Sequence, residues 1–277
     1  MDVAPDDGGG RRRPAVAVAA GGVIGILGGL IGLGGGEFRL PVLMSVFGYS
    51  ARAAVPMNLI VSLVTLVASL AIRAGTLSFA SVAPHTVEIV ALGIGGMFGA
   101  RWSARMLTRL SDRRLEAAIA ALLAGIGLLL VAEAFFPAAA GALLPRDGAT
   151  LVISGLGLGL VIGAIAALLG VAGGELLIPT LLFVYGADIR TAGTASLMIS
   201  LVTVASGLWR YGRLNALPGR AALRAVALPM GLGSILGAAF GGVLVGLLPA
   251  AALKIFLGIV LIAAAILGRL RSHGQRA

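Results

Sequence analysis

The sequence predicts an all-α integral membrane protein of two inverted repeats, each a broken, re-entrant helical hairpin followed by three transmembrane helices. Three observations predict it: composition, the length of the apolar runs, and a self-similarity held in one register between the halves. Of the 277 residues, 59% are hydrophobic and 12% charged, and the mean hydropathy is +1.06. Soluble chains carry roughly a quarter charged residues, so an ordinary soluble domain is excluded. The net charge of +10 sits in short arginine clusters between apolar runs, and Lys254 is the sole lysine. Nucleic-acid binders present a basic stripe instead. No nucleic-acid partner is expected.

The stretch 1–14 is polar, glycine-rich and carries Arg11-Arg12-Arg13. It resembles the basic start of a signal peptide. The apolar run behind it shares its pattern with a later internal segment, so it is read as retained structure and 1–14 as a cytoplasmic tail. Apolar runs then fall at 15–33, 38–48, 53–72, 84–104 and 115–135, and again at 150–170, 175–186, 191–209, 222–247 and 251–268. They are continuous rather than alternating, which argues for helices over barrel strands. Most have the roughly 20 residues that a spanning helix needs. Segments 38–48 and 175–186 do not, reaching only about 16–18 Å at ~1.5 Å per residue. Each follows a glycine-rich break, Gly32-Leu33-Gly34-Gly35-Gly36 or Gly170-Val171-Ala172-Gly173-Gly174. Segments 15–48 and 150–186 are therefore predicted hairpins with their tips inside the membrane. The first repeat spans 15–136 and the second 150–270, with a periplasmic linker at 137–149 and a cytoplasmic tail at 271–277.

Arginine placement sets the direction, because cytoplasmic loops hold the excess of Lys and Arg. Arg101, Arg105, Arg109, Arg113 and Arg114 fill the predicted loop before 115. Arg210, Arg213, Arg220 and Arg224 fill the one before the 222–247 span, and Arg269, Arg271 and Arg276 lie in the tail. One path through a bacterial inner membrane puts all of these and both termini in the cytoplasm, leaving Arg73 and Arg190 outside. Anionic lipid headgroups are the partners expected at the arginine clusters, with Trp102 and Trp209 as interfacial anchors.

A constant offset of 138 aligns the halves without a gap: Glu37 falls on Glu175 (175 − 37 = 138), Pro41 on Pro179, Gly48 on Gly186 and Arg52 on Arg190. Between 25 and 70 the alignment holds 18 identities in 46 positions, including Ser62-Leu63-Val64-Thr65 on Ser200-Leu201-Val202-Thr203. Shared composition does not hold one register that long. A hairpin plus three spans changes side once per half, so the two copies run inverted. Inverted repeats with broken helices meeting near the midplane are the architecture of many secondary transporters, in which two packings of equivalent halves give alternating access.

At these residues the chain resembles the TauE/SafE family of sulfite-exporter-like permeases. The resemblance rests on the run from Gly32 to Pro41, on its second copy from Gly170 to Pro179, and on the following Ala-x-x-x-Asn/Ser-Leu helices, Ala54–Leu59 and Ala192–Leu197. It covers about 20 to 270. It implies a multi-spanning permease for small anions such as sulfite or organosulfonates. The chain departs from the family pattern at Glu37 and Glu175, where an apolar residue is common, and at Ala172, which replaces a glycine.

Glycine lets backbone approach a ligand closely, and the first N–H groups of a helix lack intrahelical partners. Gly34, Gly35, Gly36, Gly173 and Gly174 are therefore candidate substrate-binding positions, with the helix dipoles favouring an anion. Asn58 and Ser196, equivalent near the following helix starts, join them. Glu37 and Glu175 are the only acids mirrored in the repeat. Three readings of them stand: capping of free N–H groups, uptake of a proton with the anion, or binding of a cation by both carboxylates. Arg39 aligns with Leu177 and breaks the symmetry, so it is a candidate anion or Glu37 partner, or equally a side chain that snorkels from the hairpin to an interface. Ser62, Thr65, Ser200 and Thr203 fall on one face of their helices and are candidate pathway residues. Cysteine is absent and the two histidines, His85 and His273, are far apart in sequence. No metal, cofactor or catalytic site is expected, no P-loop drives the chain, and it is not read as an enzyme. A non-transporting membrane subunit is the remaining alternative, and assembly into a homo-oligomer is compatible with either.

Overall fold

A computed structural model describes residues 12–31, 35–76, 82–135, 143–145 and 147–243, with 252, 255–256, 258–263 and 265–266 near the C-terminus. Among them no strand occurs. The helices are α1 (Arg12–Ile31), α2 (Gly36–Ser45), α3 (Ala51–Thr76), α4 (Thr86–Arg109) and α5 (Asp112–Phe135) in the first half. In the second half come α6 (Gly148–Leu169), α7 (Gly174–Pro179), α8 (Ile189–Arg213), α9 (Arg220–Ala222) and α10 (Leu228–Val243). The segments Ala51–Ala71, Gly148–Leu169, Thr191–Arg213 and Arg220–Phe240 are long and apolar enough to cross a membrane. Both expected breaks are present, and α2 has only 10 residues.

Two local expectations are corrected. The arginines assigned to loops stand mostly on helices: Arg101, Arg105 and Arg109 on α4, Arg113 and Arg114 in the first turn of α5, Arg210 and Arg213 in the last turn of α8. Charged residues prolong a helix past its apolar stretch when their heads reach water, and cations suit its C-terminal end. The run 175–186 is a single α-helical segment only as far as Pro179, and Thr180–Val184 is a π-turn. A proline ring displaces the carbonyl four residues back, and the ladder widens to recover. The Thr180 hydroxyl donates to Leu176 O at 2.7 Å, holding the widened turn.

The register of 138 recurs in the backbone. Gly35 and Gly173, the residues before α2 and α7, have φ of 66° and 82°, and Gly48 and Gly186, after these arms, have 70° and 67°. A left-handed backbone costs other residues roughly 1–2 kcal/mol, which explains glycine in both copies.

It recurs again in packing. α1 lies against α10, and α6 against α4. Gly21 meets Met230 and Gly25 meets Ser234, and Gly159 and Gly163 meet Leu92 and Gly96 at the positions 138 residues away. Gly233 and Gly237 meet Val18 and Gly22, as Gly95 and Gly99 meet Leu156 and Leu160. At all eight glycines an added Cβ would overlap the opposing backbone carbonyl oxygen. Small residues let membrane helices approach this closely. The contacts are reciprocal: each half lends its first helix to the other half, as in an isologous pair.

Side-chain contacts define two ends. At one, Arg52 of α3 donates through Nε to Asp112 Oδ1 at 3.2 Å and through Nη2 to Leu110 O at 2.6 Å. Trp209 of α8 lies there between the guanidinium groups of Arg101 and Arg213, each 5.2 Å from the ring centre. Arg13, at the start of α1, is within electrostatic reach of Tyr49, beyond the end of α2. At the other end, the Leu143 N–H donates to Phe183 O at 3.0 Å. Asp147 caps α6 through the Thr150 N–H, which holds its carboxyl below the ordinary aspartate range. The hairpin α1–α2 thus opens at the arginine end, and α6–α7 opens at the linker end.

Candidate functional site

The site forms where the two breaks meet. Asn58, in the second turn of α3, donates through Nδ2 to Gly36 O at 2.6 Å and to Gly170 O at 2.7 Å. A single amide therefore ties the break of one half to the break of the other. Gly36 itself packs on Val171 and Ala172: a Cβ built there would be 3.5 Å from Val171 Cα and from Ala172 N. Gly35, Gly36 and the run Gly170 to Gly174 are all buried. Gly34 lies outside the described residues.

Gly36 carries the chain into α2, whose first turn presents Glu37 and Arg39. Glu37, Arg39, Asn58 and Ser62 are each 0% exposed. Arg39 donates through Nε to Asn58 Oδ1 at 3.1 Å and through Nη2 to Ser62 Oγ at 2.9 Å. This answers the sequence-level choice for Arg39. The side chain reaches inward to α3 rather than out to an interface, because α3 supplies two polar acceptors one helical turn apart. Burying a guanidinium is costly unless it is hydrogen-bonded, and Asn58 and Ser62 meet that need.

The second half builds the same place with a leucine in the position of the arginine. Leu177 stands where Arg39 does, and Ser196 where Asn58 does. Ser196 Oγ turns back to Gly193 O at 3.0 Å, within its own helix, so it does not bridge the breaks as Asn58 does. Ser200 Oγ, the counterpart of the Arg39 acceptor, is buried and makes no hydrogen bond among the described residues. The Glu175 side chain lies outside the described residues. Thr65 and Thr203 are both buried, and donate to Ser62 O and Ile199 O at 2.9 Å. Beside Leu177, a narrow crevice runs between Leu92 and Gly96 of α4, Gly163 and Ala166 of α6, and Thr203 of α8. It is too tight to admit a water molecule.

The junction of the breaks has one feature beyond the sequence expectation. Two facing helix starts were expected to offer backbone N–H donors. The groups that Asn58 draws together are carbonyl oxygens, one from the start of α2 and one from the end of α6. The positive charge beside them comes from the Arg39 side chain. A buried network at the linker end was not anticipated either. It joins His85, Glu88, Ser154 and Tyr185, and its only sequence signal is an acid at position 88 inside an apolar run.

The profile of a protein family described as "Sulfite exporter TauE/SafE" matches residues 3–130 and 155–277. The unmatched interval contains the predicted linker. No curated protein and no solved structure matches the chain.

Proposed function

The chain belongs to the sulfite exporter TauE/SafE family, and from that premise we propose that it carries a small oxyanion across a bacterial inner membrane, taking a proton with each anion. Membership makes the chain a multi-pass membrane transport protein. The choice of a small oxyanion, with sulfite and organosulfonates foremost, rests on one observation: a wholly buried arginine held at the meeting point of the two breaks. Ionisable groups at membrane depth are expensive and mark solute pathways. The planar fork of a guanidinium matches the paired oxygens of an oxyanion, and the start of α2 adds the positive end of a helix dipole.

Glu37 shares that first turn. While the site holds no anion, its carboxylate balances Arg39. An entering oxyanion makes the same claim on Arg39, and two negative charges repel across a short, water-poor distance. A proton on Glu37 relieves the repulsion, so anion and proton travel together. The carrier opens its arginine end and its linker end in turn, pivoting on the equivalent breaks. The arginine end faces the cytoplasm in this reading, which the clustering of arginine there supports.

Orientation is tested by cysteine labelling, since the chain has no cysteine of its own. Ser111→Cys at the arginine end and Ala149→Cys at the linker end are both exposed positions. An impermeant thiol reagent added to intact spheroplasts is expected to label position 149 and spare position 111; the reverse pattern inverts the proposed topology. Transport is tested in proteoliposomes holding this chain alone, offered sulfite, sulfate, organosulfonates and carboxylates, with a pH dye inside. Anion flux with proton movement in step is the expected result, and Glu37→Gln is expected to cut proton movement per anion by about tenfold. No flux of any anion would overturn the reading as a carrier.

A further inference from the structure

The network at the linker end has a built-in control, because the other half makes the same joint without it. His85 closes the 3-10 turn Ala83–His85, and Glu88 is in the first turn of α4. They are 7% and 2% exposed, with His85 Nδ1 3.5 Å from Glu88 Oε1. Glu88 Oε2 and His85 Nδ1 are buried and make no hydrogen bond among the described residues. Ser154 Oγ of α6 lies 3.1 Å from the Tyr185 hydroxyl, which follows the π-turn, and Tyr185 is the ionisable group within electrostatic reach of Glu88. Among the described side chains, Asp147 and Asp188 at this end are exposed and cap helix starts at Thr150 and Thr191.

Subtracting the offset of 138 from Ser154 and Tyr185 and adding it to His85 and Glu88 gives the counterparts Val16, Phe47, Leu223 and Val226. All four are apolar. Phe47, Leu223 and Val226 belong to one hydrophobic cluster, while Val16 is exposed, so the first hairpin arm packs there with hydrophobic side chains alone. Apolar groups are often the more stable choice at a buried ionic site. A histidine and a carboxylate with unmet hydrogen-bonding capacity serve something other than the joint.

We propose that His85 and Glu88 together form a proton-binding site at the linker end, distinct from Glu37, whose occupancy controls closure of the second hairpin. This rests on the carrier reading above and names where the proton is loaded. With neutral His85 and ionised Glu88 the pair carries one negative charge. A hydronium ion from the aqueous phase at this end gives up its proton to the pair, leaving water and a pair of net charge zero. The neutral pair is compatible with burial between α4, α6 and Tyr185. The charged pair is not, because burial penalises a net charge that no neighbouring cation compensates. Closing the linker end therefore takes up a proton from that side, and opening it releases one.

The test uses the full chain and the residues of the other half. The double substitution His85→Leu with Glu88→Val copies Leu223 and Val226, so it is expected to fold and reconstitute. Ala187→Cys, buried at 5% exposure at the linker end, reports opening through its rate of thiol labelling, divided at each pH by the rate of exposed Ala149→Cys. One linked proton changes an equilibrium by at most about tenfold per pH unit. The ratio is expected to rise several-fold between external pH 6 and 8 in the otherwise unmodified chain, and to vary less than about twofold in the double variant. A ratio independent of pH in the unmodified background, or an unaltered pH dependence in the double variant, overturns the proposal. This readout needs no transported anion, so it fails separately from the carrier reading, which falls only if the flux assay is empty.

Discussion

Arg39→Leu is expected to reduce anion flux by about 100-fold or more while the protein still inserts and folds. Insertion should survive because the second half already carries leucine at this place, in Leu177, between the same elements. Flux should not survive, because the guanidinium is the one side-chain cation that the described cluster offers an anion at the meeting of the breaks. Breaking a buried charge pair costs about 3–5 kcal/mol, and each ~1.4 kcal/mol is tenfold in an equilibrium constant. That places the loss at about a hundredfold to several thousandfold. Arg39→Lys separates charge from shape. Lysine keeps the charge but cannot serve Asn58 and Ser62 through a fixed fork, so partial flux with weakened anion affinity is expected. The measurement is initial uptake into proteoliposomes, normalised to reconstituted protein. Flux within about threefold of the unmodified chain in Arg39→Leu would remove Arg39 from the site, and with it the main support for an anion.

Gly170→Ala is expected to be the most destabilising single methyl addition at the breaks. Gly170 has φ of 72°, and a Cβ there would stand 2.9 Å from both Cα and O of Val55. The left-handed backbone costs alanine roughly 1–2 kcal/mol. Overpacking against the α3 backbone, which has no flexible side chain to give way, adds about 1–3 kcal/mol. Any shift that relieves the clash also moves the Gly170 carbonyl away from Asn58. A combined loss of about 3 kcal/mol should lower the thermal midpoint of the detergent-solubilised protein by several degrees. Gly174→Ala is the matched control, since nothing lies within 4 Å of a Cβ at that position. Equal midpoints for the two variants would show that the Gly170 turn is not constrained in the way its geometry implies.

Much of this arrangement was legible in the sequence because bilayer burial and duplication leave linear traces. Most of the apolar runs predicted the described helices to within a turn or so, since a long apolar run has few alternatives in hydrocarbon; 175–186 ends its α-helix early at Pro179, and 251–268 lies only partly within the described residues. The two short runs, each behind a glycine cluster, predicted the breaks. The offset of 138 did more than reveal a repeat, for it also pairs the glycines that touch across α1 and α10 and across α6 and α4. What stayed illegible depends on directions that a sequence does not carry. Asn58 and Ser196 align, yet the longer amide spans the two breaks and the shorter hydroxyl folds back on its own helix. Arg39 was equally compatible with an interface until the side chains of α3 were in place. His85 and Glu88 are three residues apart in an unremarkable stretch, and only the approach of α6 and Tyr185 turns them into a buried pair. The arginine clusters were misplaced into loops because charge marks the water boundary but not where the hydrogen-bond ladder stops.

The exchange of first helices has a mechanical consequence. The bodies able to move as units are not the two halves of the chain. They are hybrids: α1 is locked at backbone distance to α10 of the other half, and α6 to α4. On the carrier reading proposed above, neither half would tilt without carrying a piece of its twin with it, which would tie the opening of one end to the closing of the other. On that same reading, the interlocked packing would resist leakage through both ends at once, before any solute or proton arrives.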